Sequence, residues 1–566
     1  MLQTPPSPLS CTTSSNESWA TAEGWLELCL ATHTTCNESQ NNPLWYPTRL
    51  LDIGDIRCDN VPVRLVHSAD EATLSGPYCT LSHCWGKAHF IQLNQQTTTS
   101  LCSGVALDQM PKTFREAISA TKRLKVRYIW IDSLCIVQDD LSDWFREAAE
   151  MHKVYSHSYC NLSASASIDS SEGLFRSRNP QILQNSQVNV CVADVDPDHQ
   201  YVECDMHDYF FWLNNVSHCT INKRGWVNQE RLLAPRILHF GQHQLFWECR
   251  EYDACESYPH GLPSLYKSQT NTNFKALNPA VYSDKMASRG QSVDPVVAAY
   301  QVWNSIVEGY SQTLLTMPGD KLIALSGLAK HMTNIVDDTY IVGMWRKYLE
   351  SALLWHVNYQ EKVDGSPSSR PAAYRAPSWS WASVDGIIRM GITSEQHLAI
   401  KVYDMKLKHA TEDTTGVVTG GWLDLSGSLK PMRLRQIDNG VRKRWYIVID
   451  DTFVRPQDES LEDYDRLGPN LHLDVPPSGD NAFDTDNAEQ RLFFMTGRTP
   501  SEENEYIPIL LLRLVDVENT VFERIGLAIS GTGDGQEMLL AELEEEAKRK
   551  QPCLRYENGM HTIRII

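Results

Sequence analysis

The chain has 566 residues, 42% of them hydrophobic and 22% charged, with 16 tryptophans. That is enough for roughly three or four ordinary domains, and so many indole rings exclude a disordered polymer, because each needs a core or a pocket. Acidic residues number 71 against 51 basic, a net charge of −20 that repels a phosphate backbone and argues against nucleic acid as a partner.

Residues 1–18 are rich in Ser, Thr and Pro and are expected to form a disordered tail without a secretory signal. Trp19 to Thr32 then reads as an amphipathic helix through Trp19, Trp25, Leu26, Leu28 and Cys29. Leu50 to His67 and Tyr78 to Ser82 alternate like strands. The pattern predicts a helix over Thr113 to Leu124, with Thr113 and Glu116 as a capping box and Phe114, Ala117, Ile118, Thr121 and Leu124 on one face. Tyr128 to Val137 is an apolar run broken only by Asp132 and Ser133, as expected of a central strand buried on both faces. A helix follows from Ser142 as N-cap, with Trp144, Ala148, Met151 and Tyr155 as its buried stripe.

This alternation from 78 to 155 predicts an α/β domain with a parallel sheet. Leu232 to Cys249 is β-like and Val296 to Trp355 largely helical. From 395 to 566 short β-rich runs dominate, interrupted by an acidic loop at 456–490 and followed by a surface helix over Glu537 to Lys550. The expected division is therefore a tail at 1–18, an α/β domain at 19–260, a helical region at 261–390 and a β-rich domain at 391–566. Fifteen cysteines without any Cys-x-x-Cys pair read as reduced, buried thiols in a cytoplasmic protein. The apolar runs are strand-sized, short of the ~20 residues that span a bilayer, so no membrane is expected.

Three segments carry more specific information. They are Tyr78-Cys-Thr-Leu-Ser-His-Cys-Trp-Gly86, the stretch from Met110 through Tyr128-Ile-Trp-Ile-Asp-Ser-Leu-Cys-Ile136 to Tyr155, and Arg224-Gly-Trp-Val-Asn-Gln-Glu-Arg231 with Leu245-Phe-Trp-Glu-Cys249. In this order they resemble the heterokaryon incompatibility (HET) domain of filamentous fungi. Matches at Trp25/Cys29/Cys36, Arg49 to Ile53, Ala376 to Ser383 and Tyr506 to Gly526 extend the resemblance over most of the chain. It implies a part in non-self recognition at hyphal fusion and in programmed cell death. It also implies a distant kinship with Toll/interleukin-receptor (TIR) domains, some of which hydrolyse NAD with a glutamate on the helix after the third sheet strand. By order, that residue here is Glu147.

At about 100° per residue, Glu147 projects roughly 60–70° from the centre of its helix's apolar stripe. It is thus expected at the boundary, facing a cleft beside Gln138, Asp139 and Asp140 at the sheet's carboxyl end. Breaking a nicotinamide N-glycosidic bond builds positive charge on the ribose, which one carboxylate can stabilise before water attacks. The bland reading pairs Glu147 with Arg224 or Arg231, and Glu150 with Arg146.

Ser82, His83, Trp85 and Gly86 end a strand where ligand contacts concentrate: Trp85 can stack on a ring, and Gly86 lets backbone approach. Asp132 and Ser133, polar within a buried strand, need partners, either a ligand or a neighbouring turn. Arg224, Trp226 and Glu230 either bind phosphate and a ring or form a buried ion-pair network. His83 and Cys84 point to opposite faces and make no dyad. His239-x-x-x-His243 sits in a turn, and no metal is expected. Trp379 and Trp381 are expected to pack between domains.

Three functions remain open: an NAD glycohydrolase needing no cofactor, a non-enzymatic signalling module binding other proteins or itself, and a small-molecule enzyme with an apolar pocket lined by Trp85, Trp130 or Trp226.

Overall fold

The computed structural model describes residues 10–37, 45–58, 61–70, 74–183, 186–191, 201–267, 275, 277–287, 290–358, 362–438, 443–449, 452–453, 470–476, 491–500, 506–530 and 534–566. The chain forms two compact units, Met1–Gln291 and Ser292–Ile566. The first contains α1 (Asn16–Thr32), α2 (Thr34–Asn37), β1 (Arg49–Asp52), β2 (Arg64–His67), β3 (Tyr78–Ser82), α3 (Thr98–Ser103), α4 (Lys112–Arg123) and β4 (Tyr128–Ile131). It continues with α5 (Asp132–Cys135), α6 (Leu141–Ser156), β5 (Asn161–Ser163), β6 (Ser186–Cys191), β7 (Tyr201–Met206), α7 (Gly225–Leu233), β8 (Arg236–Phe240), β9 (Leu245–Cys249) and β10 (Asp253–Cys255).

Eight of these strands form one sheet in the order β10-β9-β8-β5-β3-β4-β1-β2. Its centre, β8-β5-β3-β4, is parallel. Its flanks are antiparallel, β1 against β4 and β9 against β8. The parallel sheet expected from residues 78–155 is thus found at the centre, within a sheet that is mixed as a whole. The cause is connection length: β8 and β9 are joined by a short turn, which permits only an antiparallel hairpin, whereas helical crossovers join the central strands. Every residue of β3, β4, β5, β8 and β9 is buried, as strands covered on both faces must be.

Several local expectations change. The run Tyr128 to Val137 is strand only to Ile131; Asp132 then turns the chain into the single turn α5, its Oδ1 accepting from Ser133 N at 2.7 Å. Thr113 and Glu116 form no capping box. Thr113 Oγ1 accepts from Gly173 N, and Glu116 Oε2 from Phe175 N at 2.9 Å, so both secure the loop over α4. Asp140, not Ser142, caps α6. Residues 10–15 of the expected tail are tied down: Thr13 N donates to Arg176 O at 3.0 Å and Ser15 caps α1, while residues 1–9 lie outside the described residues.

The second unit is helical at Pro295–Ser311 and Ile323–Val336 and then β-rich. Ile507–Asp516 pairs antiparallel with Val521–Ser530 and with Leu492–Thr496, and the latter with Leu429–Asp438. Phe494, Ile507, Ile509, Leu511 and Leu473 form its core. Within the second unit, Trp381 Nε1 donates to Gly343 O and Trp355 Nε1 to Trp379 O. The surface helix expected at Glu537 to Lys550 is two short ones, Asp534–Leu540 and Glu545–Arg549. Of the acidic loop at 456–490, only 470–476 lie among the described residues, with Asn470–Leu473 a strand paired to Val521–Ser530.

Candidate functional site

In the parallel centre of the sheet, β3 is followed by β4 on one side and by β5 on the other. The direction of travel reverses between β3 and β5, and crevices in open α/β sheets open at the carboxyl ends of such strands. At that point the structure gathers a polar cluster. Ser82, last in β3, donates through Oγ to Glu230 Oε2 on α7. Asn161, on β5, donates to Ser82 Oγ at 2.9 Å and accepts from Thr80 Oγ1 at 3.0 Å. Arg224, ahead of α7, donates to the His83 carbonyl. Asp132, at the end of β4, accepts from Trp85 Nε1 at 2.9 Å and stands 3.7 Å from His83 Nδ1.

The strand pleat divides these groups between two faces. Ser82 looks toward Glu230 and Tyr155, under α6 and α7, whereas the His83 ring packs edge-on against Phe114 of α4, centroids 5.0 Å apart. His83 is buried with neither ring nitrogen hydrogen-bonded. Desolvation holds its pKa down to about 4, against the attraction of Asp132, so it is a neutral imidazole at physiological pH. Burial does the opposite to Glu230, raising it to about 7 against the pull of Arg224 and the Ser82 hydrogen bond; Asp132 adds to the rise. A carboxyl that titrates near neutrality suits proton transfer. Asp132, its side chain 23% exposed, and half-buried Trp85 and Arg224 lie at the rim.

Glu147 belongs to a neighbouring group beside β1. Arg49, first in β1, grips Asp143 of α6 with two nitrogens and donates to the Cys135 carbonyl. Glu147 Oε1 stands 3.4 Å from Arg146 Nε and 3.8 Å from Arg49 Nη2, with no hydrogen bond of good geometry. Its pKa is raised, burial outweighing Arg49. The expected boundary position is therefore corrected, since Glu147 is 3% exposed. Its partners are Arg49 and Arg146, not Arg224 or Arg231; Arg231 serves Glu248 at 2.8 Å, and Glu150 pairs with Lys153 instead of Arg146.

The remaining predicted residues sit among packing contacts. A Cβ on Gly86, at φ +63°, would lie 2.2 Å from Asp169 Cβ, so glycine serves loop packing there. Ser133 is wholly buried in α5. Trp226 stacks edge-on against Trp144 at 5.9 Å, and Trp130 is enclosed against Tyr155 at 5.7 Å, so Trp130 lines no pocket. His239 bonds Glu248 and Ser165 inside the sheet.

Sequence reasoning missed Arg49, Asn161 and Tyr155 as members of these clusters. Arg49 and Asn161 inside buried strands were the available signal, because such groups must find partners. It also missed a convergence on the far flank: the ligand atoms of Cys29, His33, Cys36 and Cys249 all lie within 4.8 Å of one another.

Among known families, residues 78–230 match the model described as heterokaryon incompatibility protein (HET). Neither a curated protein nor a solved structure matches the chain.

Proposed function

Because the chain carries a HET domain, we propose that it acts in heterokaryon incompatibility by cleaving NAD at the nicotinamide glycosidic bond, with Glu147 as the reacting carboxylate. The observation that carries this reading is the buried Oε1 of Glu147, left without a hydrogen bond beside two guanidinium groups at the carboxyl edge of the sheet. A carboxylate so placed can stabilise charge growing on a ribose ring, in surroundings where water does not screen it. Its flanking Arg146 is 56% exposed and can turn outward to a phosphate, opening the way to Glu147. At the neighbouring switch point, Trp85 offers a ring face and Arg224 a second cation for the dinucleotide. Nicotinamide leaves as a neutral molecule, so no separate acid is needed.

One observation favours a non-enzymatic signalling module: Glu147 and Glu230 are only 3% and 5% exposed, as members of internal braces would be. One assay separates the two. Nicotinamide release from NAD is measured for the wild type, Glu147→Gln and Glu230→Gln at low and high protein concentration. Release that Glu147→Gln abolishes supports the hydrolase. No release by folded wild type at any concentration leaves the signalling module, and equal release by Glu147→Gln removes Glu147 from the chemistry.

A further inference from the structure

Cys29 ends the inner face of α1, His33 caps that helix, Cys36 lies on α2 and Cys249 closes β9. The spacing i, i+4, i+7 along a helix and its continuation brings the first three to one side. The edge strand supplies the fourth. Cys249 Sγ lies 3.3 Å from His33 Nδ1 and Cys36 Sγ 4.0 Å from it. The three cysteines are fully buried, and His33 is half-buried at the margin.

We propose that these four side chains form a structural zinc site of the Cys3His type, clasping α1 and α2 to the antiparallel flank of the sheet. The dimensions support it. Zinc bonds of about 2.3 Å to sulfur and 2.0–2.1 Å to nitrogen give tetrahedral edges of about 3.5–3.8 Å. Donor atoms already within 4.8 Å of one another reach those edges with side-chain shifts of an ångström or less. Three thiols meeting at one point cannot all be consumed by disulfides. All four positions are protein donors, so the site is closed to substrate, which is the structural rather than the catalytic form.

The surroundings fit the ion's charge. Zinc with three thiolates carries one net negative charge, and the buried guanidinium of Arg236 offsets it, its Nε donating to Cys29 Sγ at 3.2 Å. The same side chain reaches the carbonyl of Cys36 at 3.2 Å and the side chain of Asn37. Asn37 Nδ2 in turn donates to the carbonyls of Cys29 and His33. Arg250 holds the Thr35 carbonyl at 2.9 Å. The turn bearing His33 and Cys36 is thus shaped before any ion arrives.

The test uses the full chain, purified without chelator, and elemental analysis by plasma mass spectrometry. One zinc per chain is expected in the wild type and in Cys58→Ser, which alters an exposed cysteine elsewhere. Loss of zinc is expected in Cys249→Ser. Should that variant fail to fold, cobalt exchanged into the wild type decides, since thiolate-to-cobalt charge-transfer bands with tetrahedral d–d bands require several thiolates gathered at one site, and among the described residues these are the cysteines so gathered. Zinc kept by a folded Cys249→Ser overturns the proposal. So does a folded wild type that holds no zinc and gives no thiolate–cobalt bands, or one whose intact mass reveals a disulfide among Cys29, Cys36 and Cys249.

Discussion

Replacing Glu230 by glutamine tests the polar cluster at the switch point through its pH dependence. Inside the fold this carboxyl is raised from its usual 4.5 to about 7, chiefly by burial. At 1.36 kcal/mol per pKa unit, ionising it there costs about 3 kcal/mol more than in the unfolded chain. The native state therefore binds the extra proton between pH 4.5 and about 7, and stability attributable to Glu230 declines as pH rises through that window. Glutamine keeps an acceptor for the Ser82 hydroxyl but has nothing to ionise. His83 slopes the other way: its imidazole, lowered to about 4, adds stability that is present above 6.5 and lost as pH falls toward 4. Both proteins share that contribution, so it cancels in their difference. The variant should gain about 3 kcal/mol on the wild type between the bottom and the top of the Glu230 window. Hydrogen exchange of the β3 and α7 amides, followed across that range, reads the effect locally, without assuming that the two units unfold together. A difference between the two proteins that does not change with pH would refute the placement of Glu230 as a buried, titrating partner of Ser82.

Asp143→Ala strands the buried Arg49 guanidinium beside Glu147, and a loss of about 3–5 kcal/mol is expected in denaturant unfolding; a loss under 1 kcal/mol would show the pair to be dispensable. Gly86→Ala sets a Cβ 2.2 Å from that of Asp169 at φ +63° and should cost about 1–3 kcal/mol, partly recovered by adding Asp169→Gly; no recovery would locate the strain elsewhere. In the second unit, Arg524 is wholly buried over the Trp355 ring at 3.4 Å and bound to Asp474. Arg524→Met takes away the wholly buried partner of Asp474, leaving it Arg370 at 3.2 Å, and should lower the thermal midpoint of that unit by an amount corresponding to about 1–3 kcal/mol, short of the about 3–5 kcal/mol of a buried charge left with no partner, readable by calorimetry. Because the Glu147 pKa is raised above 4.5, nicotinamide release should fall on the acid side with an apparent pKa above that value; a rate still rising below it would contradict an ionised Glu147.

What the sequence determined was largely local. The apolar run of β4, the stripe of α6 and the helix over Trp19 to Thr32 were legible because strand and helix periodicities follow from backbone geometry alone. The residues of the HET segments were legible too, since Ser82, Trp85, Asp132, Arg224 and Glu230 stand in motifs that need no third dimension to be seen. Tertiary structure decided the partners. Thr113 and Glu116 have the spacing of a capping box, yet the loop at 173–175 offers amides that compete for them. Helical periodicity alone puts Glu147 at the boundary of its helix, but β1 brings Arg49 from almost a hundred residues away and encloses it. Tyr128 to Val137 kept its apolar character past Ile131, while the backbone bonding of Asp132 turned the chain and moved Asp132 to the rim of the site. Cys29, His33 and Cys36 carry helical spacing in the sequence, but their fourth companion, Cys249, is brought to them only by a strand at the sheet's edge. Spacing along the chain fixes which side chains share a face, and only the packing of distant elements fixes what that face meets.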